Sequence, residues 1–230
     1  MPVLENLTYH VDPERALRLC GYGDARPAPK RVSDLTRELV DTCRELAAPR
    51  AVWEMYEVGG TDGGRVVLGS VEFTGMIPVR VLEGADMAAV SVMTIGPGID
   101  REVSRRFADG DSLGGMLLDV LGTTALASAG IQLRGRLERD EVRARGLSMT
   151  APFGPGQCQW DLRDQQALFS LVDAASIGVS LDDSCLMNPK KSVSAVVGIG
   201  DEKNIFHLTS CDICDRPRCT GRDMRLLFES

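Results

Sequence analysis

Histidine is nearly absent from this chain. Only His10 and His207 occur in 230 residues, so a multi-histidine metal site is excluded and no plausible Ser/His/acid set exists. Long apolar runs are missing too. The best stretch, Met87 to Ile95, is nine residues interrupted by Ser91 and Thr94, whereas a bilayer span needs about 20. The N-terminus, MPVLENLTYHVDPERA, has neither a basic start nor an apolar core and does not read as a signal peptide. The expectation is a cytoplasmic protein with no membrane association. Positive charge is also short: 26 Lys and Arg face 33 Asp and Glu, a net charge of −7. Such a balance repels phosphate backbones and argues against nucleic acid as a partner. No Walker loop or nucleophile elbow is present, and Gly198-Ile199-Gly200 is too short for a dinucleotide fingerprint.

What is present is an ordinary globular composition, 43% hydrophobic and 26% charged. A chain of this size hides roughly 70–75% of its extended surface on folding. It reads as a single domain over residues 1–230 with a cysteine-rich C-terminal segment, 205–230. Asp12-Pro13-Glu14 opens a short helix that ends at Gly21. Ser33 is positioned to cap a second helix, with Leu35, Leu39, Cys43 and Leu46 on one stripe. Strands are expected at 51–58, 65–73, 77–82 and 88–95, the first two joined by the loop Gly59 to Gly64. Helices should follow Gly98 and Ser112. The second of these carries Gly114, Gly115 and Gly122 in a helical pattern, which points to close packing against another backbone or a flat ligand. A further helix over 162–175 and strands at 177–181 and 192–199 complete the reading. In the last strand Val193, Ala195, Val197 and Ile199 share a face. The fold class is α+β: a twisted, mostly antiparallel sheet with flanking helices.

Seven cysteines in a cytoplasmic chain suggest thiol, metal or redox chemistry before structural disulfides. Three lie in Cys211-Asp-Ile-Cys214-Asp-Arg-Pro-Arg-Cys219. Two thiolates three residues apart can face one ion from a tight turn, and the third closes the face. This donor set suits an iron–sulfur cluster or zinc; a redox-active dithiol and three unrelated cysteines are the alternatives. Cys158 would complete a four-thiolate site, His207 a zinc site of three sulfurs and one nitrogen, and Cys185 is another option. Cys20 and Cys43 sit in helical patterns and read as apolar filler. Arg216, Arg218 and Arg222 would favour thiolate over thiol, or form an exposed basic loop. Two further segments stand out. Pro152 to Trp160 cannot sustain a helix or central strand; it holds backbone near a ligand or merely connects. Trp160 offers a flat face for stacking or fills the core. Lys190 and Lys191 could meet a carboxylate or phosphate, or line a solvated turn.

The order Met93-Thr-Ile-Gly96, Leu118-Asp119-Val-Leu-Gly122-Thr, Pro155-Gly156-Gln157-Cys158-Gln159-Trp160, Ile177-Gly-Val-Ser-Leu181 and Met187-Asn-Pro189-Lys-Lys-Ser192-Val-Ser194 resembles the activation (reactivation) domain of cobalamin-dependent methionine synthase. The likeness runs from about Val11 to Arg222, in a stand-alone form without the catalytic modules. It implies a C-shaped α+β domain that binds S-adenosylmethionine in a shallow groove. It also implies docking on a corrinoid protein whose cobalt has been oxidised to cob(II). An electron donor protein would reduce the cobalt, and cob(I) would take the sulfonium methyl. Pro155, Gly156, Gln157 and Trp160 are the cofactor-binding residues carried over, and no catalytic residue is named. The family loop reads Arg-x-x-Pro-Gly-Tyr. Here Pro152 stands at the arginine position and Gln157 at the tyrosine position, so the donor that would meet a ligand carboxylate is missing there. The expected function is support of a corrinoid protein's reductive reactivation or methylation, with a [4Fe–4S] cluster on Cys211, Cys214, Cys219 and Cys158. The alternative is a non-catalytic corrinoid-binding module with a structural zinc.

Overall fold

The computed structural model describes residues 3–5, 7–61, 63–207 and 212. Cys211, Cys214 and Cys219 therefore lie outside the described residues. The first five strands along the chain are β1 (Val3–Glu5), β2 (Arg50–Gly59), β3 (Arg65–Leu68), β4 (Val71–Thr74) and β5 (Met87–Thr94). The later strands are β6 (Ser148–Met149), β7 (Ser180–Leu181), β8 (Met187–Asn188) and β9 (Ser192–Gly200). Sheet order is β4-β3-β2-β5-β9-β6, with β1 also on β2, and β7–β8 form a separate ribbon. Every pairing among these strands is antiparallel.

Helices α1 (Pro13–Leu19), α2 (Lys30–Leu46), α4 (Gly98–Ala108) and α5 (Ser112–Leu137) pack together at one end of the molecule. The remaining two, α3 (Met76–Leu82) and α6 (Asp164–Leu171), cover the opposite sheet face. Side-chain alternation along the central strands divides the core accordingly. Ala88, Val90, Val92 and Val196 face Phe73, Trp160 and Leu168. Ala89, Met93, Val197 and Ile199 face Ala129, Leu133 and Leu137 of α5.

Four expected elements differ. Residues 77–82 form α3 instead of a strand. Ile77, Pro78, Val81 and Leu82 are the buried positions, an i, i+4 pattern that β-branched composition disguised as alternation. Pro78 falls in the first turn, where its missing N–H is harmless. The run 65–73 breaks at Gly69, φ +58°, into the hairpin β3–β4. Helix α2 starts at Lys30 after Pro29, so Ser33 does not cap it. Helix α6 is also shorter than expected, and 174–177 is a 3₁₀ turn.

Helix α5 is, among the described residues, the one helix long and apolar enough by composition to cross a bilayer, a property its glycines and hydroxyls hide in the sequence. In this fold that apolarity is spent internally: Leu117, Leu118, Leu121 and Ala125 are fully buried against α1, α2 and α4. Its start is tied down by Asp111, whose Oδ1 accepts from Gly114 N at 3.0 Å and whose Oδ2 accepts from Arg106 Nη1 at 2.7 Å. Gly115 and Gly122 of this helix admit protein neighbours, not a ligand. A Cβ on Gly122 would lie 2.9 Å from Ile99 Cγ2, and one on Gly115 3.2 Å from the Phe107 ring. At the far end of β9, a Cβ on Gly84 would lie 2.0 Å from the carbonyl oxygen of Asn204. The chain leaving the sheet is thus pressed against the 82–86 turn.

Cys43 is completely buried among α2 neighbours, and burial pushes its thiol up to about 12. The folded state therefore holds the proton more tightly than the unfolded state. The stability this lends is intact below about pH 9 and is lost as pH rises toward 12. Alkylation with peptide mapping at pH 8 should modify Cys43 only after denaturation. Gly122→Ala should lower stability by about 1–3 kcal/mol through overpacking, despite its better helix propensity. Gly130→Ala, whose Cβ would meet only the flexible end of Met93 at 3.4 Å, should gain about 0.5–1 kcal/mol. Urea midpoints distinguish the two.

Candidate ligand groove

The segment after β6 continues along the edge of β9 as an irregular strand. Thr150 N donates to Gly198 O at 2.9 Å, and Phe153 and Val196 exchange backbone hydrogen bonds at 3.1 and 2.7 Å. Met149 pairs with Ile199 and Phe153 with Val196, so this side carries one residue more than β9. Such a bulge re-aims side chains. Proline suits this edge because it has no N–H to leave unpaired. Gly154 follows where the chain crosses β9 closely; a Cβ there would lie 2.5 Å from Ser194 O.

The turn beyond is held internally. Gly156 N donates to Trp160 O at 2.9 Å, Trp160 N to Gln157 O at 2.8 Å, and Gly154 N to Gln157 Oε1 at 3.2 Å. Gly156, Cys158 and Gln159 adopt φ of +89°, +46° and +73°. Trp160 anchors the turn. Its ring is buried, edge-on to Phe73 with centroids 5.6 Å apart, and its Nε1 donates to Asp164 Oδ2 at 2.8 Å. Pro155 is buried and Cys158 half-buried, packed on the Phe73–Trp160 core. That core lies on the sheet face opposite α5.

On the α5 face, the bulged segment closes one side of an apolar groove of about 460 Å³. Its floor is Met93 with Val193, Ala195 and Val197, and its other wall is α5 through Leu126 and Ile131. Pro152 and Gln157 line the near wall. The structure thus brings these two together over the groove while Trp160 is turned into the core and Cys158 packs on the other side. The polar lining comprises Ser91, Thr123, Gln157 and Arg134, of which only Arg134 is charged among the described residues. Arg134 Nη1 donates to Thr150 O at 3.0 Å. Burial pushes the guanidinium below its ordinary range, partly offset by Glu138.

Sequence reasoning missed Arg134. An arginine in the last turn of a helix reads as a cation complementing the helix dipole, and only the fold aims this one along the sheet. Lys191 does meet a carboxylate, but one of its own chain. Its Nζ lies 2.8 Å from Asp119 Oδ1 and 3.2 Å from Thr123 Oγ1, fastening the β8–β9 connection to α5. Lys190 N donates to Asp100 Oδ2 at 2.6 Å, fastening it to α4. Beyond the groove, Arg134 and Met149 also border a second cavity of about 380 Å³ that His207 and Glu202 share. His207 Nε2 lies 2.9 Å from Glu202 Oε1. Among the described residues no group of three or more His, Cys, Asp or Glu is placed to hold a metal ion.

No family model and no curated protein matches the sequence. Among solved structures, the crystal structure of the MetH reactivation domain bound to AdoHcy is similar to this chain, with a TM-score of 0.63. The similarity spans 90% of this chain and 81% of that chain at 12% identity. The mixed α+β architecture, with its antiparallel sheet and flanking helices, is therefore the fold of that reactivation domain.

If Trp160 acts as the anchor of the turn, Trp160→Phe should keep the ring packing and lose the bond to Asp164. The expected cost is about 1–2 kcal/mol of global stability, read from urea denaturation. The accompanying sign is faster amide exchange at Gly156 and Trp160.

Proposed function

We propose that this chain docks on a corrinoid protein and supports the reductive reactivation or methylation of its cobalt. An adenosyl ligand would occupy the groove between α5 and β9. The observation that carries this reading is the groove itself: an apolar trough walled by the Pro152–Gln157 segment, in a fold shared with a domain solved with AdoHcy. An apolar trough with a few polar groups at its rim is the usual form of a small-molecule site. A role in the reducing cytoplasm fits the abundance of cysteine.

An iron–sulfur cluster on Cys211, Cys214 and Cys219, with Cys158 as fourth ligand, is the inorganic centre proposed. Chain length supports the proximity of Cys211 to the cavity beside the groove, while Cys158 packs on the other sheet face, so this ligand set would put the centre at the sheet edge between the two faces. Cys211 is four residues beyond His207, and four residues reach at most about 14 Å. His207 in turn borders a cavity that shares Arg134 and Met149 with the groove. When bound, such a cluster would supply single electrons, and the protein's part is to hold it near the docking face.

The second reading is a non-catalytic corrinoid-binding module with a structural zinc on the three cysteines and His207. One observation favours it: His207 already has a carboxylate partner in Glu202. A carboxylate that accepts from one ring nitrogen orients an imidazole whose other nitrogen ligates zinc.

Anaerobic purification should give a brown protein that bleaches with dithionite, and Cys158→Ala should remove the colour. A colourless protein carrying one zinc, lost in His207→Ala but not in Cys158→Ala, would establish the second reading instead. For the groove, calorimetry should show binding of S-adenosylhomocysteine that Ala195→Phe abolishes without lowering the melting temperature. Retention of binding by that variant would move the ligand elsewhere.

A further inference from the structure

We infer that Arg134 is the residue that recognises the ligand's carboxylate, and that it selects amino-acid-bearing ligands for the groove. This inference rests on the reading of the groove as an adenosyl-ligand site. Three observations carry it. Arg134 is the only charged side chain lining the groove among the described residues. Among the described residues its guanidinium is held by one hydrogen bond, Nη1 to Thr150 O at 3.0 Å. A guanidinium has five N–H donors in a planar fork, so most remain for a second partner. The carboxylate that acts on it electrostatically, Glu138, is hydrogen-bonded elsewhere: Arg143 Nε and Nη2 both donate to its Oε1, at 3.0 and 2.8 Å.

Among the described residues Arg134 thus has no ion pair, and its partly buried position leaves its charge incompletely hydrated. A partly desolvated cation at the end of an apolar trough fits a ligand with an apolar body and a terminal carboxylate. A bidentate guanidinium–carboxylate pair is the strong form of that contact. The opposite wall supplies no cation. Pro152 offers no donor, and Gln157, whose side-chain oxygen accepts from Gly154 N, has only neutral amide N–H groups to offer.

The test compares two ligands on one protein. S-adenosylhomocysteine carries the carboxylate; methylthioadenosine shares the adenosine and thioether and lacks it. Calorimetry on the full chain should show Arg134→Gln weakening S-adenosylhomocysteine at least 30-fold, roughly the size of a lost charged hydrogen bond, while methylthioadenosine changes less than 3-fold, roughly within the scatter of a neutral substitution. Arg134→Lys should recover part of the loss by restoring the charge without the fork. Equal weakening of both ligands would mean that Arg134 only shapes the groove, and would overturn the inference while the groove reading stands. No weakening of either would overturn it in the same way. If the wild-type chain binds neither ligand, the groove reading itself fails and the inference with it. Arg134→Gln also loses the bond to Thr150. Thermal melts of both variants, and the methylthioadenosine affinity itself, separate a folding defect from a lost contact.

Discussion

The pairing of β5 with β9 is the constraint on which the rest depends. Eight residues of each strand are in register, from Met87 opposite Ile199 to Thr94 opposite Ser192. Both strands are covered on both faces at their centre, so a slip of one residue would exchange the two cores. Val90, Val92 and Val196 would turn toward α5, and Met93 and Val197 toward Trp160. The cores are not interchangeable: one must accommodate an indole and a phenylalanine, the other the close approach of a glycine-bearing helix. Register therefore also decides which side chains floor the groove.

Helix α5 is held on the sheet from three directions. The Asp111–Arg106 contact fixes its start, Lys191 reaches from the β8–β9 connection to Asp119, and Arg134 binds the Thr150 carbonyl near its end. Each contact joins α5 to a different element. Together they set the width of the trough between helix and strand. The bulged segment, the basic side chains of the connection and the glycines of the helix are thus parts of one arrangement, although they are distant in sequence.

Much of the frame was legible in the sequence, and the failures have physical reasons. β5 and β9 are mainly apolar runs of strand length, and α4 and α5 begin close to Gly98 and Ser112, where the sequence signals put them. Residues 77–82 misled because Ile77, Val79 and Val81 satisfy a two-residue period as well as Ile77 and Val81 satisfy a helical one. Pro78 was the cue against a central strand. The break at Gly69 was hidden inside a continuous β-branched run. At the site, the turn around Pro155 and Gly156 was visible as chemistry unsuited to regular structure. Which residues it would present was not. Trp160 by itself read as core more readily than as a stacking platform, the resemblance made it cofactor-binding, and the structure packs it in the core against Phe73 with its Nε1 on Asp164. Arg134 could not be found by pattern, because its importance comes from a sheet edge sixteen residues away in the chain.

The tight seat of Asn204 against Gly84 has a consequence for the turn that follows β9. The backbone carbonyl of Asn204 occupies the space where any side chain at position 84 would begin, and Gly84 holds φ at +75°, a conformation that suits glycine alone. A larger residue at 84 would therefore have to lift the 201–205 turn off the sheet, and with it Ile205, which is buried there against Gly200. One missing side chain thus decides whether the end of β9 is capped by an apolar residue or left open to water.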